Sequence, residues 1–279
     1  MPVHPVNSLD DPRVAPYRNL KDRELARQGG RFIAEGEHLV RRLLASHYKT
    51  ESVLLAERRL PQIAPLVPAD VPVYVTAQKV MDQIIGFHFH SGAIAVGLRK
   101  EPAALDDVVP RDRARLTLMI CPEITNGENL GSMIRIAAAF GLDALILGER
   151  CHDPFWRQSI RVSMGTIFRL PIVRSPDLMR DLGRLREQWG VQLAATVLDP
   201  DAEPLAGARR APRLGLLFGS EAHGLDRTWV NACDRRLTIP MQLGTDSLNV
   251  AVSAGIFLHH FTQGEGASCE RTTNERPKC

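Results

Sequence analysis

Lysine is scarce in this chain: of 35 basic residues, 30 are arginine and 5 are lysine. Aromatic residues are scarce as well, at 5%. The five cysteines (Cys121, Cys151, Cys233, Cys269 and Cys279) are odd in number, widely spaced and nowhere arranged as C-x-x-C. That argues against a disulfide framework and removes the common zinc-finger layouts, so free thiols in a reducing compartment are expected. No H-E-x-x-H occurs, so no metal site is expected. No apolar run nears the ~18 residues of a membrane helix, which excludes an integral membrane protein of that kind. The amino terminus has no basic region followed by an apolar stretch, so a secretory leader is not expected and the cytoplasm is. No G-x-G-x-x-G follows a strand-like run, so an ordinary dinucleotide site has no support.

The chain has 279 residues, 44% of them hydrophobic and 24% charged, enough for one large or two ordinary domains. Its net charge of +3 is too small to identify a nucleic-acid partner. Arginine presents a planar fork that holds phosphate at two points, which lysine does not. A GC-rich genome accounts for the same bias. Residues 150–186 hold eight arginines against Asp153, Asp177 and Asp181. Such a local basic zone points to RNA better than the overall charge does.

Hydrophobic patterning predicts two α/β units. In the first, residues 22–28 are helix-prone, residues 31–34 strand-like, and residues 35–44 open a helix with Leu39, Val40, Leu43 and Leu44 at helical spacing. Strand-like runs at 52–55, 71–75 and 93–96 flank a second helix at 80–85. Residues 100–115 read as a linker. In the second unit, strands are expected at 116–120, 144–147, 192–197, 214–218 and 237–240, with helices at 129–140, 178–189 and 249–260. Continuous apolar strands between helices imply a mainly parallel sheet covered on both faces. The expected division is a small α/β domain at 1–105, a second domain at 112–264 and a flexible tail at 265–279.

Four stretches stand out chemically. Asn126-Gly127-Glu128-Asn129-Leu130-Gly131 joins a strand to a helix that carries Arg135. An arginine amid apolar neighbours must face a polar site or a partner. Phe218-Gly219-Ser220-Glu221-Ala222-His223-Gly224-Leu225 leaves a buried strand for a loop bounded by glycines. Its spacing does not match the G-x-S-x-G nucleophile elbow. Ile239-Pro240-Met241 through Ser247-Leu248-Asn249-Val250 runs from strand to helix start, and Ser247 and Asn249 are either caps or site residues. In the fourth stretch, Arg157 to Thr166, Arg161 and Ser163 can hold a phosphate; a solvated basic face accounts for them equally. Arg18, Lys21, Arg31 and His38 gather near the first strand–helix junction. Residues 86–92, Gly-Phe-His-Phe-His-Ser-Gly, interleave aromatics with histidines, including His90. They can stack on unpaired bases or be ordinary loop residues.

Taken in order, the three glycine- and asparagine-bearing stretches resemble those of the SpoU-type (TrmH-like) RNA 2′-O-ribose methyltransferases of the SPOUT superfamily, over residues 116–260. Arg31-Phe32-Ile33-Ala34-Glu35-Gly36 is similar to the small RNA-binding domain that often precedes that catalytic domain. The resemblance implies a deep trefoil knot and a homodimer paired through the carboxy-terminal domains. It also implies S-adenosylmethionine as methyl donor, and a ribose 2′-hydroxyl of rRNA or, alternatively, tRNA as acceptor. An inactive RNA-binding relative is the other reading. By the same resemblance Asn129, Arg135, Glu221, Ser247 and Asn249 form the catalytic set. Thr196, Phe218, Gly219, Ser220, Gly224, Ile239, Met241 and Leu248 contact the donor. Arg18, Lys21, Arg31, His38, His90, Arg157, Arg161 and Ser163 are the expected RNA contacts. No metal is implied, and His223 has no assigned role.

Overall fold

The β-branched and aliphatic runs of the first third form one sheet in the computed structural model, which describes residues 3–18, 30–220, 223–243, 245 and 247–263. Its elements are β1 (Val3–Pro5), β2 (Arg31–Glu35), α1 (Glu37–Leu44), β3 (Thr50–Ala56), α2 (Leu60–Ile63), β4 (Val73–Thr76), α3 (Gln78–Ile85) and β5 (Ala93–Leu98). The strand order is β1-β4-β3-β5-β2. β1, β4 and β3 run parallel, and β5 is antiparallel to both β3 and β2. Helix α1 begins at Glu37, two residues later than expected, because Glu35 still pairs with Ile94 in the sheet. Edge strand β1 was not expected. Three residues ending in proline carry no readable alternation, and proline is tolerated at a sheet edge. The helix expected over residues 22–28 lies outside the described residues, as does the tail from residue 264.

The second unit continues with α4 (Leu105–Val108), β6 (Leu116–Cys121), α5 (Gly127–Ala139), β7 (Ala144–Leu147), α6 (Arg157–Val162), β8 (Ile172–Arg174), α7 (Leu178–Trp189), β9 (Gln192–Thr196), β10 (Glu203–Pro204), β11 (Arg213–Leu217), α8 (Arg227–Asn231), β12 (Arg235–Thr238) and α9 (Val250–Gln263). Its seven strands are ordered β10-β12-β9-β11-β6-β7-β8, and every pairing is parallel. Every residue of β6 and β7 is buried, as a sheet covered on both faces requires. Met119, Cys121, Leu145, Leu147 and Leu216 share a cluster with α5 and α9. Leu118, Ile120, Ala144 and Ile146 instead share one with Leu178, Leu182, Leu185 and Trp189 of α7. The side-chain alternation of the strands thus feeds two separate layers.

Residues 100–115 are more than a tether. Leu105 and Val109 are buried in the α7 layer. Trp189 Nε1 donates to the Val109 carbonyl at 3.0 Å, and Asp106 pairs with Arg111 at 2.5 Å and with Arg184. Two apolar anchors in sixteen residues are too sparse to register as a period. The short elements β8, β10, α6 and α8 were missed for the same reason.

The two sheets share one apolar cluster. At its centre Phe32 of β2 lies 5.2 Å from Phe155 and 5.5 Å from Phe168, ring centre to ring centre, and Tyr48 lies 5.5 Å from Phe155. Ion pairs ring this seam: Arg157–Glu35 at 2.8 Å and Arg99–Asp153 at 2.7 Å. Arg42 donates to the Met164 carbonyl beside them.

Candidate active site

In open parallel sheets ligands bind beyond the carboxyl ends of the strands, where the strand order reverses. Here β6 leads outward through β7 to β8. The chain then returns on the other side of β6 to place β9, with β11 between the two. The three motifs leave the carboxyl ends of β6, β11 and β12, so they converge at that switch point.

The first motif enters α5. The Asn126 side chain accepts from the backbone N–H groups of Glu128 (2.8 Å) and Asn129 (3.2 Å), which caps the helix. Gly127 and Gly131, one turn apart, form the face against which α6 packs. A Cβ on Gly131 would sit 2.7 Å from the Ser159 carbonyl oxygen and 2.8 Å from Val162 Cβ. Glycine is therefore required by the close approach of the two helices. Ser159 Oγ donates to the Gly127 carbonyl at 3.1 Å and joins the two helices there. Arg135 follows Asn129 by about 9 Å along the helix axis. It is exposed and has no ion-pair partner among the described residues.

In the second motif, Ser220 and Gly224 exchange backbone hydrogen bonds of 3.0 and 2.9 Å, closing a tight hairpin. A Cβ on Gly219 would sit 2.1 Å from the Gly224 carbonyl carbon, so the returning backbone occupies the space of a side chain. The Ser220 hydroxyl accepts from the His223 N–H at 3.2 Å. Glu221 lies outside the described residues. Beside this hairpin Phe218 is buried edge-on against Phe257 of α9. Thr196 Oγ1 donates to the Leu217 carbonyl at 2.8 Å, tying the ends of β9 and β11.

In the third motif the Asn249 side chain is a helix cap and also bonds to the first motif. Its Oδ1 accepts from the Ala251 N–H at 2.9 Å, which caps α9, while its Nδ2 donates to Asn129 Oδ1 at 2.9 Å. That bond joins the first motif to the third across 120 residues. Ser247 is exposed, and Ile239, Met241 and Leu248 are half-buried on a segment that is neither strand nor helix. The outcome is a rim of half-buried apolar side chains, loop backbone, two linked asparagines and an exposed arginine. These residues suit a nucleoside: apolar side chains can wall the base, and loop backbone beside them can read its edge.

The expected RNA contacts divide. Arg161, His38 and His90 are exposed. Arg31 pairs with Glu51 at 2.7 Å, and Arg157 is bound to Glu35 in the seam. Arg18 donates to the Asp11 carbonyl at 2.8 Å. The Ser163 hydroxyl is buried, donating to the Ile160 carbonyl at 2.8 Å and accepting from the Gly165 N–H at 3.2 Å. It faces no solvent-borne phosphate. Lys21 lies outside the described residues. Half of the eight arginines in the basic zone at 150–186 are paired with acids from elsewhere in the chain. Arg150 pairs with Glu123, Arg157 with Glu35, Arg184 with Asp106 and Arg186 with Asp234. Arg161, Arg169, Arg174 and Arg180 have no acidic partner among the described residues, though Arg174 donates to the Cys151 carbonyl at 3.1 Å. A count along the sequence cannot show which charges are cancelled across the fold.

An open concavity of about 580 Å3, lined by Arg186, Glu187, Gln192 and Asp234, lies at the amino end of β9, away from the motifs. No group of three or more His, Cys, Asp or Glu among the described residues is placed to hold a metal. No helix among them is long and apolar enough to cross a membrane.

Comparison with known proteins agrees with this geometry. Residues 117–259 match the SpoU rRNA methylase family, and residues 11–86 match the MRM3-like substrate binding domain. An uncharacterised tRNA/rRNA methyltransferase of Mycobacterium tuberculosis is 35% identical over 94% of this chain and 92% of its own length. A 23S rRNA (guanosine(2553)-2′-O)-methyltransferase of Bacillus subtilis is 27% identical over 91% of this chain and 98% of its own. The crystal structure of an AdoMet-bound rRNA methyltransferase from Sinorhizobium meliloti superposes with a TM-score of 0.81. It is 27% identical, over 94% of this chain and 98% of that one.

Proposed function

Because this chain belongs to the SpoU rRNA methylase family, we propose that it transfers a methyl group from S-adenosylmethionine to a ribose 2′-hydroxyl of ribosomal RNA in the cytoplasm. The observation that carries the reading is the Asn129–Asn249 bond, which joins two motifs at the carboxyl ends of the strands. The rRNA reading follows the relatives whose names carry 23S rRNA, and tRNA is the alternative.

The donor supplies an activated methyl, so the protein needs no metal. What remains is alignment, which alone contributes about 7–11 kcal/mol in well-oriented reactions, and removal of one proton. Half-buried Ile239, Met241 and Leu248 are the walls assigned to the nucleoside, and the Phe218–Gly219 turn and Gly224 its backbone frame. Thr196 and Ser220 are already engaged in holding strand ends and hairpin, so their part is to fix that frame. Asn129 and Asn249 hold the acceptor ribose between two helix starts. Ser247 and Glu221 complete the catalytic set by resemblance.

A guanidinium stays charged in proteins and is a poor proton acceptor. Arg135 is therefore assigned to the phosphate beside the ribose and to the developing alkoxide. Arg135→Ala is expected to abolish methyl transfer while donor binding survives. Near-normal turnover would remove Arg135 from the reaction.

Two further features belong to this reading. A trefoil knot is supported by the insertion of β11 between β6 and β9, followed by the return of α9 onto the α5 side. Homodimerisation through α5 and α9 is supported by Val252 and Ile256, which are 52% and 39% exposed one turn apart on α9. Ile136 of α5 adjoins them, 4.0 Å from where a Cβ on Gly255 would sit. Calorimetry with S-adenosylmethionine, together with 2′-O-methyl mapping of unmodified rRNA treated with the protein, tests the whole. No heat at millimolar donor, with RNA present, would overturn it.

A further inference from the structure

Residues 86–92 are held from beneath with unusual thoroughness for a seven-residue connection. Phe89 is the anchor, 3% exposed in the cluster that contains Met81, Ile84 and Ile85 of α3. Both of its backbone groups are held by side chains. Its N–H donates to Asp82 Oδ1 at 2.9 Å, and its carbonyl accepts from Gln78 Nε2 at 3.0 Å. Gln78 Nε2 also donates to Asp82 Oδ1 at 2.6 Å, and His88 Nδ1 meets Asp82 Oδ2 at 2.6 Å. Arg58 donates to Gln78 Oε1 at 3.2 Å and to the His90 carbonyl.

What this bracing presents outward is Phe87, 49% exposed, with His88 and His90 in edge contact at 4.1 Å. The loop buries one phenylalanine and leaves the other in water two residues away. The half-exposed ring meets buried Phe89 edge-on at 6.1 Å, and its neighbours along the loop, Gly86 and His88, are exposed. Its position also fits the site. Ser91 Oγ lies 3.4 Å from where a Cβ on Gly36 would sit. The adjoining Glu35 pairs with Arg157 of α6, which packs against Gly131 of α5. The loop therefore stands at the seam end of the first sheet, on the side that leads to Asn129.

We propose that Phe87 stacks on an unpaired nucleobase of the substrate RNA, outside the methylated nucleotide, with the Arg58 guanidinium on an adjoining phosphate. This rests on the RNA methyltransferase reading and extends it to a single-stranded element of the substrate. Every base offers a π face, so a fixed aromatic ring gains stacking with little ordering cost.

The test compares full-length protein with Phe87→Ala and Phe87→Trp. Three quantities are measured: retention of unmodified 23S rRNA and tRNA transcripts on filters, steady-state methylation with labelled donor, and donor affinity by calorimetry. Phe87→Ala is expected to weaken RNA retention and raise KM for RNA about tenfold, within the range for loss of one stacked base. Donor affinity, kcat and the salt dependence of binding should stay unchanged, and Phe87→Trp should restore retention. Equal retention by wild type and Phe87→Ala overturns the proposal. So does a loss confined to kcat. Wild-type protein that retains RNA in a Phe87-dependent way but methylates none overturns the enzymatic reading and leaves the stacking contact supported.

Discussion

Gly131 shows how one missing methyl group fixes a site. The Ser159 backbone fills the space a Cβ would take, so α6 lies hard against the helix that carries Asn129 and Arg135. Gly131→Ala must separate the helices or bend one of them. A loss of about 1–3 kcal/mol in denaturant unfolding is expected, with reduced methyl transfer in the fraction that folds. Cys151 makes a different point. Its thiol donates to the Cys121 carbonyl at 3.0 Å, and burial pushes its pKa up to about 11. The thiolate is the reactive form, so alkylation of the folded protein at pH 8 should spare Cys151 until the chain unfolds. Peptide mass spectrometry reads this directly. Labelling at the native rate of an exposed thiol would contradict the burial.

At the level of elements, α9 has two faces with different work. Ala251, Ala254, Phe257, Leu258 and Phe261 are buried in the core, while Val252 and Ile256 point away from it. Val252→Asp with Ile256→Asp leaves the inner face intact. The double variant is expected to fold, to shift to monomer in light scattering, and to lose methyl transfer. A wild-type monomer would overturn the proposed homodimer, and a dimer that persists in the variant would overturn its placement on α9. The sequence displayed this helix clearly, because long apolar runs at helical spacing are the strongest local signal. It did not display α6. Six residues with two arginines read as a basic stretch, and only packing against Gly127 and Gly131 makes them a strut between the two sheets.

Across the whole molecule, the apolar cluster runs without a break from β2 and α1 through Phe155 and Phe168 to α5 and α9. The two units should therefore unfold in one thermal transition, not two. Phe32→Ala removes the ring at the centre of the seam and is expected to cost about 3–5 kcal/mol. It should also split or broaden the calorimetric transition. A single sharp transition at an unchanged temperature would mean that the units are energetically independent.

The sequence by itself determined the long strands and helices, the covered parallel sheet and the three motif loops, because each is written in local periodicity or in adjacent residues. It left Asn249 open as cap or site residue, and the folded chain shows the cap. Tertiary structure decided what depends on partners far along the chain. It joined Asn129 to Asn249, and it engaged Arg31 and half the arginines of the basic zone, Arg157 among them, in ion pairs. It buried the Ser163 hydroxyl and turned the supposed linker into a packed segment under Trp189. Charge neutralisation, close backbone approach and burial are properties of pairs of residues, and the pairing is set only when the chain has folded.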